Sequence, residues 1–307
     1  MKNRLSRMLD RACDSAQPAV GVGNPAQYIP ALARVDPQKF GAALVTVDGE
    51  IATYGDAAEP FSIQSISKVF TLTRALLDVG DELWRRVGRE PSGSSFNSIV
   101  QLEREEGKPR NPLINAGALV ICDVLLESRA VAAAIDEMLL LLTRAGAQGV
   151  SVDPEVAESE RATGFRNFSL ANFLKGFGNL SHTVDEVLAV YFSQCAITMS
   201  CVELARAALF LAGDGIDPIS GTPIVPSRMA RRVKSIMLMC GHYDASGDFA
   251  YRVGLPGKSG VGGGIVVVAP YRGAVAVWSP CLNENGNSYA GTEALENIAR
   301  ETGWSVF

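Results

Sequence analysis

Histidine is almost missing from this chain: its 307 residues carry only His182 and His242. A hydrolase that relies on an imidazole base has no more than those two positions to use. Neither has a partner at metal-ligand spacing and no nucleotide fingerprint occurs, so no metal site and no cofactor are expected. Basic runs are equally scarce, none exceeding Arg231-Arg232. With a net charge of −5 and a pI near 5.3, the chain lacks the clustered positive surface that nucleic acid requires, and no nucleic-acid partner is expected. The six cysteines, Cys13, Cys122, Cys195, Cys201, Cys240 and Cys281, form no C-x-x-C pair and sit mostly in apolar segments, which reads as reduced, buried thiols. No apolar run reaches the ~18–20 residues of a membrane span. The segment Met1 to Met8, charged at Lys2, Arg4 and Arg7, leads into Leu9-Asp10-Arg11 rather than an apolar core, so a cytoplasmic location is expected. Repeats and low-complexity segments are absent. What remains is an ordinary globular composition, 47% hydrophobic and 20% charged, sufficient for a sizeable core in one large domain or two.

Against these absences, Ser65-Ile66-Ser67-Lys68 stands out. On a helix, positions i and i+3 share a face, with β-carbons about 5–6 Å apart, so Lys68 can take the Ser65 proton without any histidine. The spacing alone is weak: the composition predicts roughly 0.5 chance matches, and Ser62 or Ser65 could simply cap a helix with Lys68 in solvent. Context argues otherwise. The segment Val69 to Leu77 is apolar nearly all round, which predicts a buried helix with its N-terminus inside the molecule. Downstream lies Lys258-Ser259-Gly260, followed by Val261 and Gly262-Gly263-Gly264. S-x-x-K and K-[ST]-G together mark the serine β-lactamase and penicillin-binding group.

The pattern along the chain predicts an α+β architecture. Residues 3–14 are amphipathic. Ala42 to Val47 and Glu50 to Tyr54 flank Asp48-Gly49, which predicts a hairpin with a two-residue type I′ turn. From about 70 to 240 the period is helical, best over Ala130 to Ala145, Thr183 to Val190, Val202 to Leu211 and Ser227 to Met239, with loops at Glu90 to Asn97 and Gly107 to Pro112. Gly264 to Ala269 and Ala274 to Trp278 predict a second hairpin, and Thr292 to Arg300 a terminal helix. Strands at both ends imply one antiparallel sheet from about 38–56 and 250–281, with a helical lobe of about 62–240 inserted, all within a single domain of 1–307. Ser65 and Lys258 would then meet at the seam between sheet and lobe.

Several longer stretches carry a family resemblance: Tyr28-Ile29-Pro30, Phe61-Ser62-Ile63-Gln64-Ser65-Ile66-Ser67-Lys68, and Arg110-Asn111-Pro112-Leu113-Ile114-Asn115-Ala116-Gly117-Ala118. They continue through Ser159-Glu160, Arg166-Asn167, Tyr191-Phe192-Ser193-Gln194-Cys195, Cys240-Gly241-His242-Tyr243-Asp244 and Gly257 to Gly264. In this order, over essentially the whole chain, they resemble the bacterial serine-dependent glutaminases, a family with a serine β-lactamase-like fold that hydrolyses L-glutamine to L-glutamate and ammonia. Two local departures are the segment Leu180 to Asp185 before Tyr191, where the family more often has a proline, and His242, which replaces a more usual apolar residue beside Tyr243. The resemblance implies Ser65 as nucleophile and Lys68 as its base. It also implies a glutamine site lined by Tyr28, Ser65, Asn115, Glu160, Asn167, Tyr191, Tyr243 and Val261, no cofactor, and a homodimer or homotetramer.

The chemistry assigns roles to match. Lys68 must be neutral to act as base, so burial and a nearby positive charge, for which Lys258 is the candidate, should lower its pKa. The backbone N–H groups of Ser65 and Val261 would hold the oxyanion, and Tyr191 would relay protons or activate water. Glu160 suits the substrate's α-ammonium; the two asparagines and Tyr28 or Tyr243 suit its α-carboxylate. Two other readings share parts of this pattern. One is a β-lactam- or D,D-peptide-hydrolysing enzyme, against which stands the absence of an S-D-N element. The other is a non-catalytic amino-acid-binding module, which would have no need of Ser65, Lys68 and Lys258 together.

Overall fold

The computed structural model describes residues 4–93, 97–127 and 129–307; the remainder of the loop expected at 90–97, and the first three residues, lie outside it. Five antiparallel strands form the main sheet: β1 (Gly41–Thr46), β2 (Ile51–Gly55), β6 (Gly257–Ser259), β7 (Gly264–Ala269) and β8 (Gly273–Trp278), in the order β2-β1-β8-β7-β6. A second, small sheet joins β3 (Phe61–Ser62), β4 (Ser151–Val152) and β5 (Ile197–Met199) in the order β3-β5-β4.

Both faces of the main sheet are covered along β1, β7 and β8, which is why those strands read as unbroken apolar runs, whereas the edge strand β2 alternates exposed and buried residues. Successive side chains alternate in direction. Ala43, Val45, Val266, Val268, Ala274, Ala276 and Trp278 face the helical lobe, where Cys201–Ala212 lies against them. Ala42, Leu44, Ile265, Val267, Val275 and Val277 face the helices Arg4–Asp14 and Tyr289–Thr302. The buried helix Ser67–Val79 leaves the seam between sheet and lobe, as expected, and nine of its residues are buried, Lys68 among them.

Four local expectations change. The first hairpin closes with a three-residue loop, because Val45 pairs with Ile51, Thr46 N–H donates to Glu50 O, and only Gly49 takes the positive φ that a type I′ turn would need twice. The small sheet interrupts the helical region; its strands, two and three residues long, are too short to show a period. Residues 250–252 belong to the helix Ser246–Arg252 rather than to the sheet. The terminal helix begins three residues early, where the Ser288 hydroxyl caps Gly291 N–H.

Candidate active site

Ser65 sits in a 3-10 turn, Gln64–Ile66, just before the helix rather than in it, and neither Ser62 nor Ser65 caps the helix. Gln64 holds φ at +49°, a left-handed conformation that a residue with a side chain adopts only under constraint. Its Nε2 donates to Ser62 Oγ at 3.0 Å, and Ser62 Oγ donates to Cys195 O at 2.9 Å. The β6–β7 turn is pressed onto this corner. A Cβ on Gly260 would stand 2.5 Å from Ile63 O and 3.2 Å from Ser65 N, and one on Gly262 would stand 2.2 Å from Ser62 O. Only glycine permits that approach, and it carries the Val261 backbone to the nucleophile turn.

Lys68 is 1% exposed, and its Nζ donates to Asn115 Oδ1 at 2.7 Å and Leu113 O at 3.4 Å rather than to Ser65. Asn115 opens the helix Asn115–Leu125, positioned by an Asn111 side chain that accepts from both Leu113 N–H and Ile114 N–H. Gly117 lets this helix pass Asn111 O, which a Cβ would reach at 1.9 Å. Asn115 Nδ2 in turn donates to Asn167 Oδ1 at 2.9 Å, so both ends of the Asn115 carboxamide are occupied. The Ser65 hydroxyl instead meets the Tyr243 phenol, which also meets Ser259. Tyr243, like Gln64, has positive φ, at +56°.

Burial pushes Lys68 down to about 8, partly opposed by Cys195 and Glu160. Lys258 does not act as the positive neighbour expected of it. It is depressed well below the ordinary lysine range, first by its own burial and then by Lys68. Its Nζ donates to Gly241 O at 2.9 Å and Ser259 O at 2.6 Å and lies 4.3 Å from the Tyr243 ring centroid, which makes it a brace beneath Tyr243. Tyr191 places its ring 5.7 Å from Lys68 Nζ, and its phenol bears on the Cys195 thiol one helical turn on. Both belong to the helix Val184–Cys195, which starts from a Thr183–Glu186 capping box.

Glu160 projects from the helix Pro154–Thr163, whose start is set by Asp153 as cap and Pro154 at the first position. Burial raises its carboxyl to about 8 against the pull of Lys68, Gln64 and Cys195. Its Oε2 is buried without a hydrogen-bond partner, the mark of a group awaiting a ligand. Tyr28 lies across the mouth, held by the next helix, where Ala31 N–H donates to Ser159 Oγ at 3.1 Å. The residue is 56% exposed, yet burial of its hydroxyl end, then Tyr243 and Glu160, raise its phenol; the ring's outer edge faces solvent and its tip faces the site.

Tyr28, Ser65, Asn115, Glu160, Asn167, Tyr191 and Val261 thus line one pocket of about 540 Å³ including its mouth, with Tyr243 beside Ser65 beneath it. Gln64, Asn97, Thr163, Gly164 and Arg166 line it too and went unassigned in the sequence. Arg166 could have been found from its place in the Arg166-Asn167 pair; nothing in a glutamine announces the left-handed backbone of Gln64. The histidines stand apart from the reacting groups: His182 Nδ1 lies 3.0 Å from Asp123, and His242 stacks on Phe249 with both ring nitrogens unbonded. Among the described residues no cluster suited to a metal ion occurs, and no helix is long and apolar enough to cross a membrane.

Comparison with known proteins places the whole chain in one family. The glutaminase family model matches residues 23–307. The chain is 58% identical over 304 residues to the glutaminase of Agrobacterium fabrum, covering 99% of this chain and 98% of that one. It is 57% identical, with the same coverage, to a thermolabile glutaminase of Rhizobium etli. The solved structure of the probable glutaminase ybaS superposes with a TM-score of 0.92 at 37% identity, covering 98% and 99% of the two chains. The probable glutaminase from Bacillus subtilis complexed with 6-diazo-5-oxo-L-norleucine gives 0.90 at 33% identity, covering 100% and 98%. Matched over nearly its whole length by the family model and by these relatives, this protein is a member of the glutaminase family, hydrolases that act on the side-chain amide of glutamine.

Proposed function

We propose that this glutaminase works through a Ser65–Lys68 dyad and a γ-glutamyl ester. The neutral Lys68 amine takes the Ser65 proton as Oγ attacks the γ-carboxamide carbon. The tetrahedral oxyanion accepts from the Ser65 and Val261 backbone N–H groups. Val261 N–H has no main-chain acceptor among the described residues, and a donor of this kind is worth about 2.7–4 kcal/mol. Collapse expels ammonia, which carries off the proton held by Lys68. Water then attacks the ester, Lys68 again receives a proton, and breaking the ester bond returns it to Ser65. Tyr243, touching the Ser65 hydroxyl, offers a path for that return; Tyr191, over Lys68, faces the deacylating water; Lys258 supports Tyr243.

The observation that carries this reading is Lys68 itself, a buried lysine poised at about 8, one turn after a strained serine corner. Substrate binding follows from what the pocket leaves unfilled. Glu160 Oε2 receives the α-ammonium, and Asn167 Nδ2 with the Tyr28 phenol serves the α-carboxylate, Asn115 being engaged by Lys68 and Asn167. Sheet, seam and lobe form one serine β-lactamase-like unit over 1–307, acting as a homodimer or homotetramer. A cytoplasmic setting suits six buried, unpaired thiols.

A γ-diazoketone analogue of glutamine tests the assignment. It should label Ser65, and label found only on a cysteine would refute it. Lys68→Arg should nearly abolish turnover, since arginine keeps the charge but cannot deprotonate; an active variant would remove the base from the scheme.

A further inference from the structure

Building on the glutaminase reading, we propose that Arg166 determines specificity: its guanidinium receives the free α-carboxylate of glutamine while Glu160 receives the α-ammonium. Arg166 lines the pocket, is exposed, and has no ion-pair or hydrogen-bond partner among the described residues. It stands second in the helix Phe165–Gly176, whose N-cap, Gly164, also lines the pocket and supplies no side-chain cap, so the positive end of that helix lies at the same corner.

An independent feature shows that a charged ligand belongs there. Glu160 is 7% exposed and its Oε2 is aimed into the pocket with no partner. Glutamine carries its two opposite charges on one carbon, so a site built for the ammonium must also meet the carboxylate close by. The corner between the two helices sets that spacing. A Cβ on Gly164 would stand 2.8 Å from both Glu160 O and Phe192 Cζ, so the chain passes from the Glu160 helix to the Arg166 helix by a turn only glycine fits. Asn167, next in line, has Oδ1 engaged by Asn115 and only Nδ2 to offer. A single neutral amide and a phenol leave a carboxylate undercompensated, and a guanidinium supplies the matching planar donor pair. Peptide-bound glutamine, whose α-carboxyl is an amide, would lose that contact.

The test is steady-state kinetics of Arg166→Gln. KM for glutamine should rise about 10-fold, with kcat within about twofold, because the contact holds substrate and transition state alike. The inhibition constant of 4-aminobutanamide, which is glutamine without its α-carboxylate, should stay within about twofold. Arg166→Lys should recover part of the loss, as a charge without the planar pair. An unchanged KM for glutamine overturns the proposal, as does a parallel rise for both compounds, which would mean that the guanidinium shapes the pocket rather than reading the carboxylate. Wild-type enzyme that released no ammonia from glutamine would overturn the parent reading and this one together.

Discussion

Replacing Glu160 with glutamine tests how the free enzyme stores its protons. With its carboxyl raised to about 8, Glu160 is roughly nine-tenths protonated at pH 7 before substrate arrives. An incoming α-ammonium favours the ionised form, so glutamine binding should release up to about 0.9 proton per site at pH 7, falling as pH passes 8. Calorimetry in two buffers of different ionisation enthalpy, in a Ser65→Ala background to prevent turnover, reads this number directly. Glu160→Gln should abolish the release. In otherwise wild-type enzyme it should raise KM about 10- to 100-fold, the value of one charge-assisted hydrogen bond of about 1.5–3 kcal/mol. A second consequence concerns Lys68, whose pKa the Glu160 carboxylate holds up. The ascending limb of kcat/KM near pH 8 in wild type belongs to the Lys68–Glu160 pair, and in the variant, where Lys68 alone remains, it should move to lower pH. His182→Ala and His242→Ala should leave it in place. Proton release that survives in the variant, or a limb that does not move, would refute the coupling of Glu160 to substrate and base.

Two further outcomes follow from the same geometry. Lys68→Met should abolish turnover yet stabilise the fold at pH 7 by up to about 3 kcal/mol, since lowering a lysine from 10.5 to about 8 costs about 1.4 kcal/mol per unit whenever the amine is charged. The gain should be full below pH 8 and shrink between 8 and 10.5, where the folded wild type has shed the proton and the unfolded chain has not; chemical denaturation across that range checks it, and a variant less stable than wild type at pH 7 defeats it. Gly260→Ala should cut kcat at least 10-fold with KM little changed, because its methyl group would push the Val261 turn off Ile63 O; unaltered kcat would mean the turn is not held to the nucleophile.

How much of this was legible in the sequence depends on the range of the interactions involved. The seam between Ser65 and Lys258, the two hairpins and the long helices were readable because each leaves a local period or a turn residue. Glu160 and Asn167 were reachable only through the family resemblance, since a lone carboxylate on a polar helix has no period of its own. The exchange of partners in the centre was not readable at all. Lys68 bonds Asn115 across 47 positions, Ser65 meets Tyr243, and Lys258 braces a ring rather than charging a neighbour. Those choices are made by packing between distant segments. The tilt of one side chain toward a carboxamide instead of a hydroxyl alters no pattern in the residues around it.

The placement of β8 between β1 and β7 has a consequence for how the protein is made. Gly41 is paired with Trp278, 237 residues further on, so a chain emerging from the ribosome cannot close its central sheet until β8 has been synthesised. Until then the β1–β2 hairpin has an open edge, and the apolar face of Cys201–Ala212 has no sheet to cover. The first and last helices then clasp, Arg11 to Glu301 at 2.7 Å and Asn297 Nδ2 to Ala12 O at 3.3 Å. Folding to the active form therefore waits for β7 and β8, and a nascent chain stalled anywhere before β7 would present its stickiest surfaces to chaperones rather than a half-built enzyme.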